Sequence, residues 1–130
     1  MAKSNLISIL IVDDHEVVRN GIRSYLETIK DFDVVGEAES GEKAIKMVSE
    51  LIPDIVLLDL IMPGQSGMET LSQILAIDPE ACVIIVSSLG TEDAVHECLA
   101  TGARSFLRKP FKRDDFLSFL RKLDVAEQPS

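Results

Sequence analysis

Thiols, imidazoles and long apolar runs are all scarce in this 130-residue chain, which carries two cysteines and two histidines. Cys82 and Cys98 lie in apolar-patterned segments and have no metal-ligand spacing with His15 or His96. That pattern disfavours a zinc site and leaves two free, buried thiols as the expectation. The longest apolar stretches, such as Leu6 to Val12 and Ile55 to Leu58, fall far short of the roughly 20 residues that span a bilayer. No membrane insertion is expected. The opening Met-Ala-Lys-Ser-Asn runs straight into a β-like segment, without the apolar core and small-residue cleavage site of a secretory leader, so the expected location is cytoplasmic.

Positive charge is also in deficit. Thirteen Lys and Arg face 22 Asp and Glu, for a formal charge of −9. Phosphate-backbone contacts need clustered basic residues, and none are evident, so direct nucleic-acid binding by this chain is not expected. A Gly-x-x-x-x-Gly-Lys phosphate loop is absent, as are internal repeats and low-complexity segments. Most of the acids read as solvated helix faces; what matters is where a few of them sit.

Hydrophobic residues make up 46% of the chain, enough for one sizeable core. Five β-like runs alternate with helix-like segments: Ile7 to Val12, Asp33 to Gly36, Asp54 to Leu58, Cys82 to Ser87 and Ser105 to Arg108. Most are apolar on successive residues, as strands buried on both faces are, and the alternation predicts a parallel α/β sheet. Val18, Ile22, Tyr25, Leu26 and Ile29 recur at helical spacing, as do Ala44, Ile45, Val48 and, less regularly, Leu51. Ser66 and Glu69 have capping-box spacing, Thr91 can cap a fourth helix, and Gly102 can end it. Phe116, Leu117, Leu120 and Leu123 line a fifth helix, for which Lys112 is a poor cap. The folded domain is expected over residues 1–126, with a frayed polar tail at 127–130.

In open parallel sheets, ligands bind beyond the carboxyl ends of the strands. Here those positions carry Asp13 and Asp14, Asp59, Ser87 and Ser88, and Lys109 followed by Pro110. Three carboxylates at one rim repel each other unless a cation sits among them, and a hard divalent ion such as Mg2+ suits an all-oxygen set that keeps several waters. An Asp pair after a strand can equally be a helix N-cap. Asp59 leaves the most apolar strand on a rigid element and is a candidate nucleophile for an aspartyl phosphate. Lys109 and the metal would neutralise the equatorial phosphoryl oxygens, and Ser87 would donate a hydroxyl hydrogen bond. Taken singly, a lysine after a strand is usually solvated and a strand-end serine usually bonds to backbone. Pro110 is a candidate for a cis bond. His15 can be read as an acid-base group near the metal, but the preferred reading is the exposed start of the first helix.

These residues, taken in order, resemble the receiver domains of two-component response regulators, including the stand-alone chemotaxis type. Leu10-Ile11-Val12-Asp13-Asp14-His15 is similar to the family's acidic first strand, and Asp54 to Pro63 to its phosphoacceptor strand. Val86-Ser87-Ser88 is similar to the switch hydroxyl and its small neighbour. Gly102-Ala103 with Phe106-Leu107-Arg108-Lys109-Pro110-Phe111 is similar to the closing motif. The resemblance covers nearly the whole chain. It implies a flavodoxin-like (βα)5 fold with strand order 2-1-3-4-5. It also implies a phosphoryl group received on Asp59 from a sensor histidine kinase or phosphotransfer protein. Mg2+, or Mn2+, would be held by Asp13, Asp14, Asp59 and the backbone carbonyl of Ile61. Lys109, Ser87 and Ser88 would meet the phosphoryl group, and Ser87 and Phe106 would act as the conformational switch. The output face would be that of the fourth helix, fifth strand and fifth helix, meeting a downstream effector or a second copy in a phosphorylation-dependent dimer.

Ile61 and Leu89 are apolar where some relatives carry polar side chains, so an attacking water would lack a partner and the aspartyl phosphate is expected to be long-lived. Two rival readings remain. A Mg2+-dependent aspartyl-nucleophile phosphatase of the haloacid dehalogenase type would place a second Asp two residues after the nucleophile, whereas Asp13 is followed by Asp14 and His15. A pseudo-receiver that works by binding alone would not need all five side chains.

Overall fold

A computed structural model describes residues 6–127. Five strands alternate with five helices: β1 Ile7–Val12, α1 Glu16–Leu26, β2 Phe32–Ala38, α2 Gly41–Leu51, β3 Ile55–Leu58, α3 Gly67–Ile77, β4 Cys82–Ser87, α4 Glu92–Thr101, β5 Ser105–Arg108 and α5 Arg113–Glu127. All strand pairs are parallel, and the sheet order is β2-β1-β3-β4-β5. This is the flavodoxin-like arrangement.

The period-two geometry of a strand explains why the central runs are continuously apolar. Ile9 and Ile11 of β1, Ile55 and Leu57 of β3, and Ile84 and Val86 of β4 join a core with Ile22 and Leu26 of α1 and Phe116 and Leu120 of α5. The intervening residues Leu10, Val12, Val56, Leu58, Val83 and Ile85 pack on the other side with α2, α3 and α4. Each strand thus feeds two cores at once, and the three layers follow.

Several element ends differ from the sequence expectation. Strand β2 runs from Phe32 to Ala38 rather than from Asp33 to Gly36, because both end residues are buried and pair with Ile7 and Val12 across a register shift. Strand β3 starts at Ile55: the Asp54 carboxylate accepts from Ser8 N (2.8 Å) and Ser8 Oγ (3.1 Å), and Asp54 N donates back to Ser8 Oγ at 2.8 Å. A side-chain clasp replaces the first ladder bond. Helix α1 stops at Leu26, and Ile29 reaches the core from the following turn instead. Helix α5 runs on through Glu127, one residue into the expected tail, since no breaker precedes Pro129. Residues 128–130 lie outside the described residues. Ser66 and Thr91 cap α3 and α4, accepting from Glu69 N and Ala94 N at 3.1 Å each. Gly102, at φ 127°, ends α4. Cys82 and Cys98 are buried and free of a disulfide.

Two glycines carry opposite demands. A Cβ on Gly67 would stand 2.4 Å from Leu60 Cα and 2.9 Å from the Asp59 carbonyl oxygen, so the first turn of α3 rests directly on the segment after β3. A Cβ on Gly21, inside α1, would meet nothing within 4 Å. Gly21→Ala is therefore expected to stabilise the protein by up to about 1 kcal/mol through helix propensity. Gly67→Ala is expected to destabilise it by about 2 kcal/mol or more through backbone overlap. Urea unfolding midpoints of the two variants, moving in opposite directions, check both.

Candidate functional site

The carboxyl ends of β1, β3 and β5 bring four charged side chains together. Asp13 leaves β1 and is 2% exposed; Asp59 leaves β3 and is 4% exposed. Both are anchored by the sheet itself, since Asp13 N donates to Ala38 O and Asp59 N to Val12 O, each at 3.0 Å. Asp14 follows Asp13 at the same rim. Lys109 reaches across from beyond β5, its Nζ lying 2.7 Å from Asp13 Oδ2 and 3.3 Å from Asp59 Oδ2. Its backbone N donates to Ser87 O at 3.0 Å, which ties the lysine segment to the end of β4. The Lys109-Pro110 peptide is cis. Beyond it, Phe111 stacks on Phe116 with ring centroids 5.2 Å apart, and Tyr25 of α1 meets Phe116 at 5.9 Å. That aromatic trio seats the lysine-bearing turn against α1 and α5.

The second oxygen of each buried acid has its own partner. Asp13 Oδ1 accepts from His15 N at 2.9 Å and lies 3.2 Å from His15 Nδ1; Asp59 Oδ1 accepts from Ile61 N at 3.2 Å. Asp14 Oδ1, in contrast, is buried without a hydrogen-bond partner among the described residues, at 3.3 Å from His15 Nδ1. One ligand atom from each of Asp13, Asp14, His15 and Asp59 falls within 4.8 Å of the others. An orphaned carboxylate oxygen beside two buried carboxylates is the donor chemistry that a hard divalent cation satisfies, so the residues present fit such an ion.

Burial pushes the Asp59 carboxyl above its ordinary range and Asp13 adds repulsion, while the Lys109 ammonium and the Ile61 N–H pull it back; burial wins. Three residues that the sequence did not single out, Arg19, Arg23 and Glu37, brace the acidic loop. Arg19 Nη1 donates to the Asp13 carbonyl at 2.6 Å, while Arg19 Nε and Arg23 Nε donate to Glu37 at 3.0 and 2.6 Å. Burial would raise the Glu37 carboxyl, but the Arg23 and Arg19 guanidiniums outweigh it and hold the group below its usual range. Arg19 and Glu37 are 18 residues apart on different elements, and no sequence periodicity joins them.

Ser87 is fully buried, and its Oγ accepts from Leu89 N at 3.2 Å. Ser88 is exposed. Phe106, half-buried, pairs with Ile85 in the sheet and packs on the α2–α4 side. Ile61 and Leu89, on the segments that follow Asp59 and Ser87, are 52% and 43% exposed. A separate cavity of about 470 Å3, lined by Ile52, Pro53, Asp54, Asp78 and Glu80 among others, sits by the amino-terminal ends of β1 and β3 and holds none of the clustered acids.

The raised Asp59 pKa has a definite sign. Protonation of this group is more favourable folded than unfolded, so its contribution to stability is present below the ordinary aspartate range and is lost as pH rises through the folded value. At pH 7 its charge is a net cost. Asp59→Asn is expected to raise stability at pH 7 in cation-free buffer by about 1 kcal/mol, with the gain shrinking as pH falls into the carboxylate range. Urea titrations at several pH values measure it.

Comparison with known proteins places this geometry. The family model for the response regulator receiver domain matches residues 9–121. The chain is 43% identical over 117 residues to the chemotaxis protein CheY of Listeria monocytogenes, covering 90% of this chain and 98% of that one. It is 40% identical over 116 residues to the response regulator protein VraR of Staphylococcus saprophyticus, covering 89% of this chain but 56% of VraR. Among solved structures, it superposes on the CheX-CheY-BeF3-Mg2+ complex from Borrelia burgdorferi with a TM-score of 0.86 at 33% identity, covering 90% of this chain and 88% of that one. A family match across most of the length, on a sheet whose order and acidic rim agree with it, means that this chain belongs to the response regulator receiver domains.

Proposed function

We propose that this chain is a phosphoacceptor switch that takes a phosphoryl group onto Asp59 from a phosphohistidine of a sensor kinase or phosphotransfer protein. The observation that carries the reading is the Lys109 ammonium held between Asp13 and Asp59, at 2.7 and 3.3 Å. Receiver domains take phosphate from kinases and generally hold Mg2+ in an acidic pocket. The Borrelia relative is seen with BeF3 and Mg2+, which supports carrying both over to these residues.

Asp59 attacks the phosphorus as a carboxylate. An O–P bond forms while the N–P bond of the donor breaks, and the departing imidazole keeps the electron pair and takes up a proton. Asp13, Asp14, Asp59 and the Ile61 carbonyl would hold Mg2+, which supplies positive charge to the phosphoryl oxygens. Mn2+ would serve in the same place. Lys109, already in contact with Asp59 Oδ2, neutralises a further phosphoryl oxygen, and the Ile61 N–H steadies the other carboxylate oxygen.

The same event drives the switch. Phosphorylation adds about −1.5 to −2 charge at pH 7. Ser87 then exchanges its bond from Leu89 N for a donor bond to a phosphoryl oxygen, and Phe106 of the neighbouring strand follows inward. Phosphate thereby favours the arrangement in which Ser87 and Lys109 reach it, a shift of populations rather than a new fold. The face that changes carries an open groove of about 440 Å3 lined by Glu92, Asp93, Val95, His96, Leu99 and Arg108, which suits a downstream effector. Among the described residues, no helix is long and apolar enough to cross a membrane. The chain assists its own phosphorylation and dephosphorylation and has no separate turnover substrate.

Incubation with Mg2+ and acetyl phosphate is expected to add one phosphoryl group by intact mass, and Asp59→Asn to add none. Repeated turnover of a small phosphate ester would instead favour the phosphatase reading, and no gain at all would favour a binding-only module. The exposed Ile61 offers no base to an attacking water. Replacing Ile61 with Asn or Glu is expected to speed loss of phosphate by up to about 100-fold, measured as decay of the phosphorylated mass. An unchanged rate would remove the apolar rim as the cause of a long lifetime.

A further inference from the structure

His15 is the site residue for which the phosphoacceptor reading has no use. It starts α1 as the N-cap but makes no side-chain cap bond, although capping is the ordinary reason for a polar side chain at that position. Its ring turns instead toward the acids: Nδ1 lies 3.2 Å from Asp13 Oδ1 and 3.3 Å from Asp14 Oδ1. The Asp14 oxygen in that pair is buried without a hydrogen-bond partner among the described residues. Three donor atoms therefore converge, and one of them is an oxygen whose pairing is unfinished.

The spacing carries the inference. Two ligands at neighbouring octahedral positions, each about 2.1 Å from an ion, lie about 3.0 Å from one another. The imidazole nitrogen keeps close to that separation from both carboxylate oxygens. Lys109 does not compete for the place, since it approaches Asp13 through Oδ2 while His15 approaches through Oδ1. The His15 side chain is also 66% exposed, so it is free to adjust without unpacking the core.

We propose that His15 is a nitrogen ligand of the acidic pocket, so that this site prefers imidazole-accepting transition-metal ions to Mg2+. The proposal rests on the reading that Asp13, Asp14 and Asp59 hold a divalent ion. An all-oxygen set suits Mg2+, whereas adding a neutral imidazole favours ions such as Ni2+, Cu2+ and Zn2+. The consequence is a receiver whose cation can be displaced by transition metals.

The chain has two histidines, which makes the test clean. One equivalent of Cu2+ is added at pH 7.5, and pulsed electron paramagnetic resonance records the nitrogen modulation characteristic of bound imidazole. Ni2+ and Mg2+ affinities are measured by calorimetry on the same proteins. Modulation in the natural chain and in His96→Asn, lost in His15→Asn, is the expected result. His15→Asn should also weaken Ni2+ binding roughly 10- to 100-fold and leave Mg2+ within about twofold, as expected where Mg2+ is held by oxygen donors. If Asp13→Asn abolishes binding but no imidazole modulation from His15 appears, or the Ni2+ to Mg2+ ratio ignores His15→Asn, the inference is overturned and the acidic site stands. If Ni2+ and Mg2+ binding are absent or indifferent to Asp13→Asn, the metal pocket itself fails.

Discussion

One ammonium group between two buried carboxylates is the constraint on which the rest of this structure turns. Asp13 and Asp59 are each almost fully removed from water, and two such charges side by side would ordinarily force one of them to protonate. Lys109 reduces that conflict without abolishing it, as the raised Asp59 carboxyl shows. The pocket is left acidic and electrostatically unfinished, with one Asp14 oxygen unpartnered among the described residues. Such a site attracts positive charge, and under the proposed function a phosphoryl group would be tolerated there because Lys109 and a bound cation would offset its charge. Stability is given up locally where chemistry is needed.

The scaffold supplies what such a site requires, which is rigidity on every side. Parallel strands end at one rim, and their apolar side chains occupy two cores, so none of the three central ends can tilt without disturbing both layers. Arg19 braces the Asp13 backbone from α1, Gly67 allows α3 to sit against the segment following Asp59, and the Tyr25, Phe111 and Phe116 rings hold the lysine turn. Ser87 differs in kind. Its hydroxyl is engaged by one backbone N–H at 3.2 Å, a bond that a charged acceptor can readily outcompete. In the proposed switch, the fixed members of the pocket would do the binding and the one lightly held member would report it.

Much of this is legible along the chain. Largely apolar runs identify β1, β3 and β4 with little error, the short Phe106-Leu107 pair marks β5, and the polar residues directly after these strands mark the rim. Capping by Ser66 and Thr91 follows from short-range geometry alone. Other features have no local signature. The span of β2 depends on which of its residues find partners in β1, and β3 begins late because Ser8, 46 residues away, clasps Asp54. The brace from Arg19 and Arg23 to Glu37 and the turn of the His15 ring onto two acids depend on how α1 is set against the sheet.

The amino-acid order by itself determined the alternation of strands and helices and the identity of the candidate reacting groups, because strand periodicity, helix caps and residue type are properties of neighbours in sequence, while the strand order was legible only through the family resemblance. Only the tertiary structure decided how those groups are charged and engaged. Burial, which raises Asp59, and the meeting of Lys109 with an acid 96 residues away arise from chain segments that are distant in sequence and adjacent only once the sheet has closed its two cores.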